Sequence, residues 1–410
     1  MSRRALVTRV GAAGFAGLAG GIAAGLTAGG YARQEPGDEP ALAPARAATG
    51  SGPGPVPALA VPTPAHVHIV AVDLRADSAA AARAAARATL TAWRESAADL
   101  HERGLASLGP GAPSAGLHPA SLGVTLGVGP GLLERAGRSG NRPPELDDLP
   151  AFAPDDLDPA WCGGDLLLHA GAEDAVVLSA AVQYLLGRVR EHARVRWSLP
   201  GFQRSAAAAV DPAATPRNLM GQVDGTVNPE PSDALFGTHV LASHPDRATA
   251  WMDGGSYVVI RRIRMLLDDW YALEPEAREA VIGRRLSDGA PLGGANEDDR
   301  PDLTAVDGAG HRVIPDTAHI RLAGPERTLG ARMLRRGFNF DLGWGADDRR
   351  EAGLIFTAWQ ADPRSAFTAV QEALDRGGDA LAPFIRHEGS AVFAVPPVSG
   401  DRPHPAASLW

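Results

Sequence analysis

One short stretch of the sequence holds a single acid between two glycines. The stretch RNLMGQVDGTVNP, residues 217–229, carries Asp224 between Gly221 and Gly225. An Asp-Gly pair is first of all a turn signal, because glycine adopts backbone angles that other residues avoid. A positioned aspartate can also act as a general base that takes up a proton and later returns it. The residues alone therefore leave two roles open, a turn former and an acid–base catalyst.

A histidine and a pair of arginines in the same half of the chain could complete such a site. His319 lies in DTAHIRLA, which we predict to be a short apolar strand. An imidazole there could bind iron, or it could simply pack in the core. Arg335 and Arg336 follow in MLRRGFNF. Neighbouring side chains of a strand face opposite ways, so only one of these two guanidinium groups can enter a pocket and stabilise charge there.

The composition excludes several broad classes of protein. The chain has 410 residues, of which 45% are hydrophobic and 21% charged, and its net charge is −9, with no lysine among its cations. These values are typical of a globular protein, and the acidic balance argues against nucleic-acid binding, which needs a basic face. The one cysteine, Cys162, cannot form a disulfide within the chain, and we interpret it as a structural thiol. Iron, if bound, must then be held by histidine or carboxylate.

The N-terminus has the layout of a Tat export signal. Arg3 and Arg4 form a twin-arginine pair, and a weakly apolar Gly/Ala-rich run follows. A retained membrane anchor is the alternative, but so many glycines make a poor spanning helix. We predict a signal and the start of a linker over residues 1–48, and a Pro/Ala/Gly-rich linker over residues 49–64. The protein is then expected in the extracellular space, the cell envelope or the periplasm.

Strand and helix patterns alternate twice along the remaining sequence. The first half follows a β-α-β-β-α-β order, with strand patterns such as HVHIVAVDL and a long Ala-rich helix after Ser78. The second half repeats this order more loosely, with one helix predicted over LLDDWYALEPEAREAVIGRRL. We therefore predict an α+β fold of two ferredoxin-like modules with antiparallel sheets, similar to a dimeric α+β barrel. The predicted domains are residues 65–205 and 206–400, followed by a tail over residues 401–410.

The longer string around Asp224 resembles the signature of dye-decolourising peroxidases, a haem family that includes exported, deferrochelatase-like members. Five further segments resemble this family in the same order: WMDGGSYVVIRRIRM, IGRRLSDGAPLGG, DTAHIRLA, MLRRGFNFD and GLIFTAWQAD. The resemblance covers most of residues 66–397, and the joint match is specific. It implies two ferredoxin-like modules with haem in the second, in agreement with the alternation of strands and helices.

The resemblance implies a role for each of the three chemical residues. His319 matches the axial ligand of one haem b per chain, and Asp224 matches the acid–base residue. Arg335 matches the distal arginine that stabilises charge on the leaving oxygen. The implied activity is oxidation of dyes, phenols and similar small aromatic reductants by hydrogen peroxide, through a ferryl intermediate. Glu388 is a candidate hydrogen-bond partner of His319, because a ligating histidine usually donates its second N–H.

The resemblance also implies which residues surround the haem. Leu354 and Phe356 alternate on one strand face and are candidates for the distal wall, although both could be ordinary core. Four residues that flank Asp224 are expected to bring backbone close to the ring: Val223, Gly225, Thr226 and Val227. The candidates near the haem propionates are Arg321, Arg327, Arg284 and Pro325. The long stretch between Asp288 and Ile320 is expected to cover the site.

Two further expectations concern the reductants. Bulky molecules could not reach a buried haem, so aromatic residues could relay oxidising equivalents outward, although such residues more often pack in a core. The candidates are Trp251, Tyr257, Trp344 and Trp359. Because the ordinary pKa of an aspartate is about 3.9, dye turnover through Asp224 is expected to be best in mildly acidic solution.

Three other functions remain open from the sequence. A deferrochelatase-like component of iron uptake would release iron from haem and could act with membrane components of that system. A haem carrier without turnover would not need an acid and a cation such as Asp224 and Arg335. A ferredoxin-like binding module without haem is the third. The chain could also form a homo-oligomer, and no nucleic-acid partner is expected.

Overall fold

A computed structural model of the chain describes residues 56–59, 63–205, 208, 211, 214–345, 348–398 and 406–410. The predicted leader, residues 1–48, lies outside the described residues. So do most of the predicted linker and half of the predicted tail. Within the described ranges, no helix is both long and apolar enough to span a bilayer.

The first module has the predicted β-α-β-β-α-β order. Its strands are β1 (His66–Leu74), β2 (Gly123–Val128), β3 (Leu166–Ala172) and β4 (Ala193–Phe202), and its helices are α1 (Ala79–Glu102), α2 (Pro130–Arg135) and α3 (Ala175–Gly187). Ser78 caps α1 by accepting the N–H of Ala81 at 3.2 Å. Asp174 caps α3 in the same way. One face of each helix packs on the sheet, and Trp93 of α1 is fully buried there.

The second module repeats the order with more interruptions. After α4 (Phe236–Val240) come β5 (Ser256–Met265), α5 (Leu267–Tyr271), α6 (Pro275–Ile282), α7 (His319–Leu322), β6 (Leu334–Trp344), β7 (Arg350–Gln360), α8 (Ala369–Gly377) and β8 (Ile385–Val395). A single π-helical turn, Arg364–Thr368, precedes α8. The predicted domain limits at residues 205 and 206 remain a prediction, although the first four strands end at Phe202 and the last four begin at Ser256.

Two predictions about the second module were wrong. The single helix predicted after β5 is split into α5 and α6, because Pro275 lacks the N–H that would continue a helix and instead starts a new one. The segment around His319 is a short helix and not a strand. A strand needs a neighbour with free backbone groups, and the eight strands form a closed barrel that offers no free edge.

The two modules close one antiparallel barrel, which confirms the predicted α+β class. The strand order around the barrel is β1-β3-β2-β8-β5-β7-β6-β4. Within each module the ladders are long, whereas the modules meet at single pairs, Val128 with Ala394 and Phe202 with Asn339. Residues that alternate along each strand fill the barrel interior or face the surrounding helices and loops. Phe338 and Phe393, for example, lie in the interior core.

Candidate active site

The segment that leads into Asp224 is held by hydrogen bonds to its surroundings and within itself. The side-chain oxygen of Asn218 accepts the N–H of Met220 at 3.0 Å, and Trp270 of α5 donates to the carbonyl of Met220 at 2.9 Å. Arg217 donates to the carbonyl of Leu286, across from the loop. The Asp-Gly turn is therefore a fixed structural feature, and it holds the carboxylate in one position.

The carboxylate of Asp224 lies beside Gly337 of strand β6, where no side chain fills the space. A Cβ atom added to Gly337 would lie 3.5 Å from Oδ2 of Asp224 and 3.1 Å from Leu354. Asn218 donates to the same Oδ2 atom at 3.3 Å. Because Gly337 has no side chain, a space remains between the aspartate and the apolar side chain of Leu354.

Arg335 lies two positions before Gly337 in β6, on the same face of the strand, and extends toward the same loop. Its Nη2 atom donates to the carbonyl of Thr226 at 2.7 Å. The side chain of Asn228 fixes the arginine backbone, donating to the carbonyl at 2.8 Å and accepting the N–H at 3.0 Å. Arg336 points the other way and donates to the carbonyl of Leu59 in the interior core. The predicted opposite orientation of the two arginines is confirmed.

His319 opens α7 and has a charged partner. Its Nδ1 atom lies 2.8 Å from Oδ2 of Asp379, which follows α8. Burial alone would lower the pKa of His319, but the charge and hydrogen bond of Asp379 outweigh it, and the pKa is raised. The side chain keeps 31% of its exposure, and Nε2 has no hydrogen-bond partner in the described part of the chain. One nitrogen is thus anchored and the other is available to a ligand.

The prediction that Glu388 is the partner of His319 was wrong. Glu388 forms an ion pair with Arg262 and lies 3.9 Å from Arg264. Asp379 could not be found from the sequence, because it follows the left-handed Gly378 that ends α8 and has no local motif. It reaches the imidazole because α7 packs against α8.

The three candidate catalytic and ligand residues, Asp224, His319 and Arg335, lie in one region of the second module. The pKa of His319 is influenced by the charges of both Arg335 and Asp224, with opposite signs. Among the described residues, no group of three or more His, Cys, Asp or Glu side chains could hold a metal ion.

The residues after Asp224 are strained and anchored. Gly225 has a φ of 129°, and Val227 has a φ of 60°, which is costly for a β-branched residue. Thr226 is buried and donates through its hydroxyl to Glu297 at 2.7 Å. Val223, on the other side, packs against Gly289. The strained peptide after Thr226 presents its carbonyl to Arg335, and the long loop after Asp288 holds it there.

The arginines proposed to bind propionates differ in how they are used. Arg284 donates to the carbonyls of Gly289 and Glu297, and burial lowers its pKa. Arg321 is buried and donates to the carbonyls of Ile314 and Pro315. Both therefore hold the long loop. Arg327 and Pro325 are exposed.

Apolar side chains of β7 lie next to Gly337 and Arg335 of β6. Leu354 is 8% exposed, and Phe356 is half-buried with its ring centre 6.0 Å from that of Phe367. They alternate on one face of β7, as predicted from the sequence. Together with the gap at Gly337 they form a wall beside Asp224 and Arg335.

The candidate relay residues are mostly core. Trp251, Tyr257 and Trp359 are buried, and only Trp344 of the four is exposed. The hydroxyl of Tyr257 lies 2.9 Å from Nε2 of His244. Cys162 is half-buried, and burial is the main cause of its raised thiol pKa, which fits a structural thiol.

Comparison with known proteins extends these observations. The family models described as Dyp-type peroxidase, N-terminal, and Dyp-type peroxidase, C-terminal, match residues 57–203 and 215–400. A dye-decolorizing peroxidase from Thermobifida fusca is 56% identical over 310 residues, which cover 75% of this chain and 72% of that protein. A deferrochelatase from Yersinia pseudotuberculosis is 36% identical over 293 residues, which cover 70% of this chain and 66% of that protein.

Solved structures share the fold. The structure of ferric DtpA from Streptomyces lividans has a TM-score of 0.82 and 43% identity, and the match covers 89% of this chain and 98% of that one. A DyP-type peroxidase from Streptomyces coelicolor has a TM-score of 0.79 and 44% identity, covering 86% of this chain and 94% of that one.

Proposed function

The chain belongs to the Dyp-type peroxidase family, and on that premise we propose that it binds one haem b through His319. We propose that it uses hydrogen peroxide to oxidise dyes, phenols and similar small aromatic reductants. The observation that carries the proposal is the meeting of Asp224, Arg335 and the Asp379-bound imidazole of His319 in one region of the second module. A carboxylate and a guanidinium near an imidazole nitrogen that is open to a metal ion supply what the reduction of peroxide needs.

The residues present fit a haem. Nε2 of His319 has no partner in the described part of the chain, and Nδ1 is fixed by Asp379, as is usual for a ligating histidine. Leu354 and Phe356 provide apolar walls, and the missing side chain of Gly337 leaves room beside them. Haem, when bound, supplies the iron that exchanges electrons with peroxide.

The protein's own contribution is to move a proton and stabilise charge. Asp224 takes the proton from one oxygen of hydrogen peroxide and delivers it to the other, which leaves as water. Arg335 stabilises the negative charge that develops on the leaving oxygen. The bonds from Thr226 and Asn228 hold the arginine at the edge of the pocket, so little reorganisation is needed during the reaction. Haem, when bound, would supply the two electrons that cleave the O–O bond, and two one-electron reductants would replace them.

The test is a stopped-flow measurement of the reaction with peroxide, followed at the Soret band. We expect Asp224→Asn to slow the reaction by roughly 10²- to 10⁴-fold. We expect Arg335→Leu to slow it by about 10²- to 10³-fold. The exposed residues Asp233 and Arg332 provide matched controls, and Asp233→Asn and Arg332→Leu should react like the unmodified protein. If neither Asp224→Asn nor Arg335→Leu slows the reaction, the assigned roles are wrong.

We also propose export by the Tat pathway. The support is the Arg3-Arg4 pair before a Gly/Ala-rich run. Replacing both arginines with lysine should retain the protein in the cytoplasm, as judged by cell fractionation. Unchanged export of this double variant would contradict the proposal.

Release of iron from haem is a second candidate function. The observation in its favour is the 36% identity to a protein named deferrochelatase. Incubation of the haem-loaded protein with a reductant and an iron chelator would then yield intact porphyrin free of iron, detected by its fluorescence. Recovery of haem alone, together with rapid peroxide turnover, would leave the peroxidase as the function.

A further inference from the structure

A second polar cluster lies inside the barrel, away from the candidate active site. Arg336 of β6 is 7% exposed and His169 of β3 is 6% exposed. The ring of His169 lies 5.7 Å from that of Trp359, edge to face. Thr357 connects Trp359 to Arg336, because its hydroxyl accepts from Trp359 Nε1 at 3.2 Å and donates to the backbone carbonyl of Arg336 at 2.9 Å.

The charge of Arg336 has no negative partner among the described residues. No carboxylate there forms an ion pair with it, and the one hydrogen bond of its guanidinium within that part of the chain goes to the carbonyl of Leu59 at 3.1 Å. Its Nε atom is buried and has no acceptor in the described ranges. Burial lowers the pKa of Arg336 to about 10, which leaves the guanidinium charged at neutral pH. A buried and unpaired charge carries a large desolvation penalty, so a counter-charge at this position would stabilise the folded protein.

The side chains around Arg336 carry hydrogen-bond donors but no negative charge. Burial, and to a smaller extent Arg336, lowers the pKa of His169 to about 4, so at neutral pH the ring keeps one N–H to donate. Apart from a contact with its own backbone carbonyl, the ring of His169 has no hydrogen-bond partner among the described residues. Thr125, opposite His169 in the β2–β3 ladder, accepts the N–H of Ala58 at 2.9 Å, and its own O–H has no acceptor within the described ranges. The cluster therefore has unused donors from several side chains.

The segment before β1 lies against this cluster. Residues 56–59 carry three buried side chains, Val56, Ala58 and Leu59, which belong to the interior core. The bonds from Thr125 and Arg336 tie two backbone groups of this segment to opposite modules, because Thr125 lies in β2 and Arg336 in β6. The cluster thus lies where the N-terminal segment meets the inside of the barrel.

We propose that Arg336 and His169 bind a small monovalent anion of the size of chloride inside the barrel. The anion would accept hydrogen bonds from Nε of Arg336 and from the imidazole N–H, and it would neutralise the buried guanidinium. The apolar neighbours Leu59 and Trp359 favour a weakly hydrated ion, because a strongly hydrated one loses more on leaving water. Bromide and chloride should therefore bind better than fluoride.

The first experiment measures thermal unfolding of the full-length, haem-loaded protein while sodium gluconate is replaced by sodium chloride at constant ionic strength. Above the dissociation constant, we expect the midpoint to rise by about 2 to 4 °C for each tenfold increase in chloride. Fluoride should give a smaller rise. The variant Arg336→Met should lose this dependence. Arg188→Met, which changes an exposed arginine at the end of α3, should keep it. A midpoint of the unmodified protein that does not respond to chloride would overturn the proposal.

A second measurement does not depend on the folding of the Arg336 variant. Crystals of the unmodified protein grown in sodium bromide should show an anomalous scattering peak next to Arg336 and His169. Ordinary water density at that position, with bromide at other sites in the same crystal, would show that the guanidinium is merely hydrated and would reject the site.

Discussion

The Nδ1 atom of His319 lies 2.8 Å from Oδ2 of Asp379, although 60 positions separate the two residues in the chain. The aspartate is buried and the imidazole is partly open to the pocket. The charge of Asp379 therefore acts on one ring nitrogen while the other remains available. In the proposed haem site, this relationship would set how basic a ligand the imidazole is.

Removing the charge of Asp379 should weaken the hold on haem. An asparagine keeps a hydrogen-bonding group but not the negative charge, so the imidazole becomes a poorer donor to iron. We expect Asp379→Asn to lose haem to an apo-globin acceptor about 10- to 100-fold more readily and to have a higher reduction potential. Glu388→Gln is the control, because Glu388 pairs with Arg262 and Arg264 and does not contact His319. Equal haem transfer from both variants would remove Asp379 from this role.

Filling the gap at Gly337 should obstruct the pocket without unfolding the protein. Gly337 lies in β6 and does not have a positive φ, so alanine fits the backbone. The added methyl group would lie 3.1 Å from Leu354 and 3.5 Å from Asp224, in the space beside the carboxylate. We expect Gly337→Ala to slow the reaction with peroxide by about tenfold or more, since a displaced reactant costs on the order of 10²-fold.

A matched methyl group elsewhere provides the control for Gly337. Gly131 of α2 has open space around its Cβ position and no positive φ. Gly131→Ala should raise stability by roughly 0.5 to 1 kcal/mol, as expected within a helix, and leave the peroxide rate unchanged. An unaltered rate in Gly337→Ala as well would show that the gap is not part of the reacting space.

The backbone strain at Val227 should affect the free energy of unfolding. Its φ of 60° disfavours a β-branched residue by about 1 to 2 kcal/mol, and its side chain is 57% exposed, so little packing is lost on truncation. We expect Val227→Gly to leave the free energy of unfolding unchanged or slightly higher. Val195→Gly, at a strand position that is 48% exposed and has ordinary backbone angles, should lower it by about 1 kcal/mol. Denaturant unfolding of both variants gives the comparison, and an equal loss in the two would mean that Val227 is not strained.

The buried group of Asp155, Arg261 and His387 should make stability depend on pH. Burial tends to raise the pKa of Asp155, but its bonds to His387 and Arg261 lower it overall. Its contribution is then fully present above about pH 4, the ordinary range of an aspartate, and is lost as the pH falls through the depressed folded-state value. Burial lowers the pKa of His387, so the unfolded chain takes up its proton first and stability falls as the pH drops below about 6.5.

The variant Asp155→Asn tests this group directly. At neutral pH it leaves Arg261, whose side chain is fully buried, without its ion-pair partner, which typically costs about 3 to 5 kcal/mol. The difference from the unmodified protein should begin to shrink below about pH 4, because the unfolded chain then protonates Asp155 while the folded chain keeps it ionised until the pH falls through its depressed pKa. Urea unfolding at pH 7, 5 and 3.5 gives the comparison. A difference that stays constant with pH would show that the ion pair does not carry the effect.

Local patterns in the sequence predicted most of the elements, whereas resemblance to a known family supplied the candidate catalytic residues. Alternation along β1 and the capped, Ala-rich pattern of α1 depend on neighbours within a few positions, so these elements could be predicted. The same holds for the opposite directions of Arg335 and Arg336, which follow from the geometry of any strand. The error at His319 shows the limit, because a short apolar segment becomes a strand only where another strand has a free edge.

Tertiary structure alone decided which partners these residues have. Asp379 meets His319, Thr226 meets Arg335, and Leu59 meets Arg336 across 60, 109 and 277 positions. No local signal specifies such pairs, because they arise only when two modules close one barrel and every strand takes its register from its neighbours. The sequence by itself therefore determined which side chains are candidates for chemistry. The closed barrel determined which of them face the pocket and which face the core, since packing over the whole chain sets those distances.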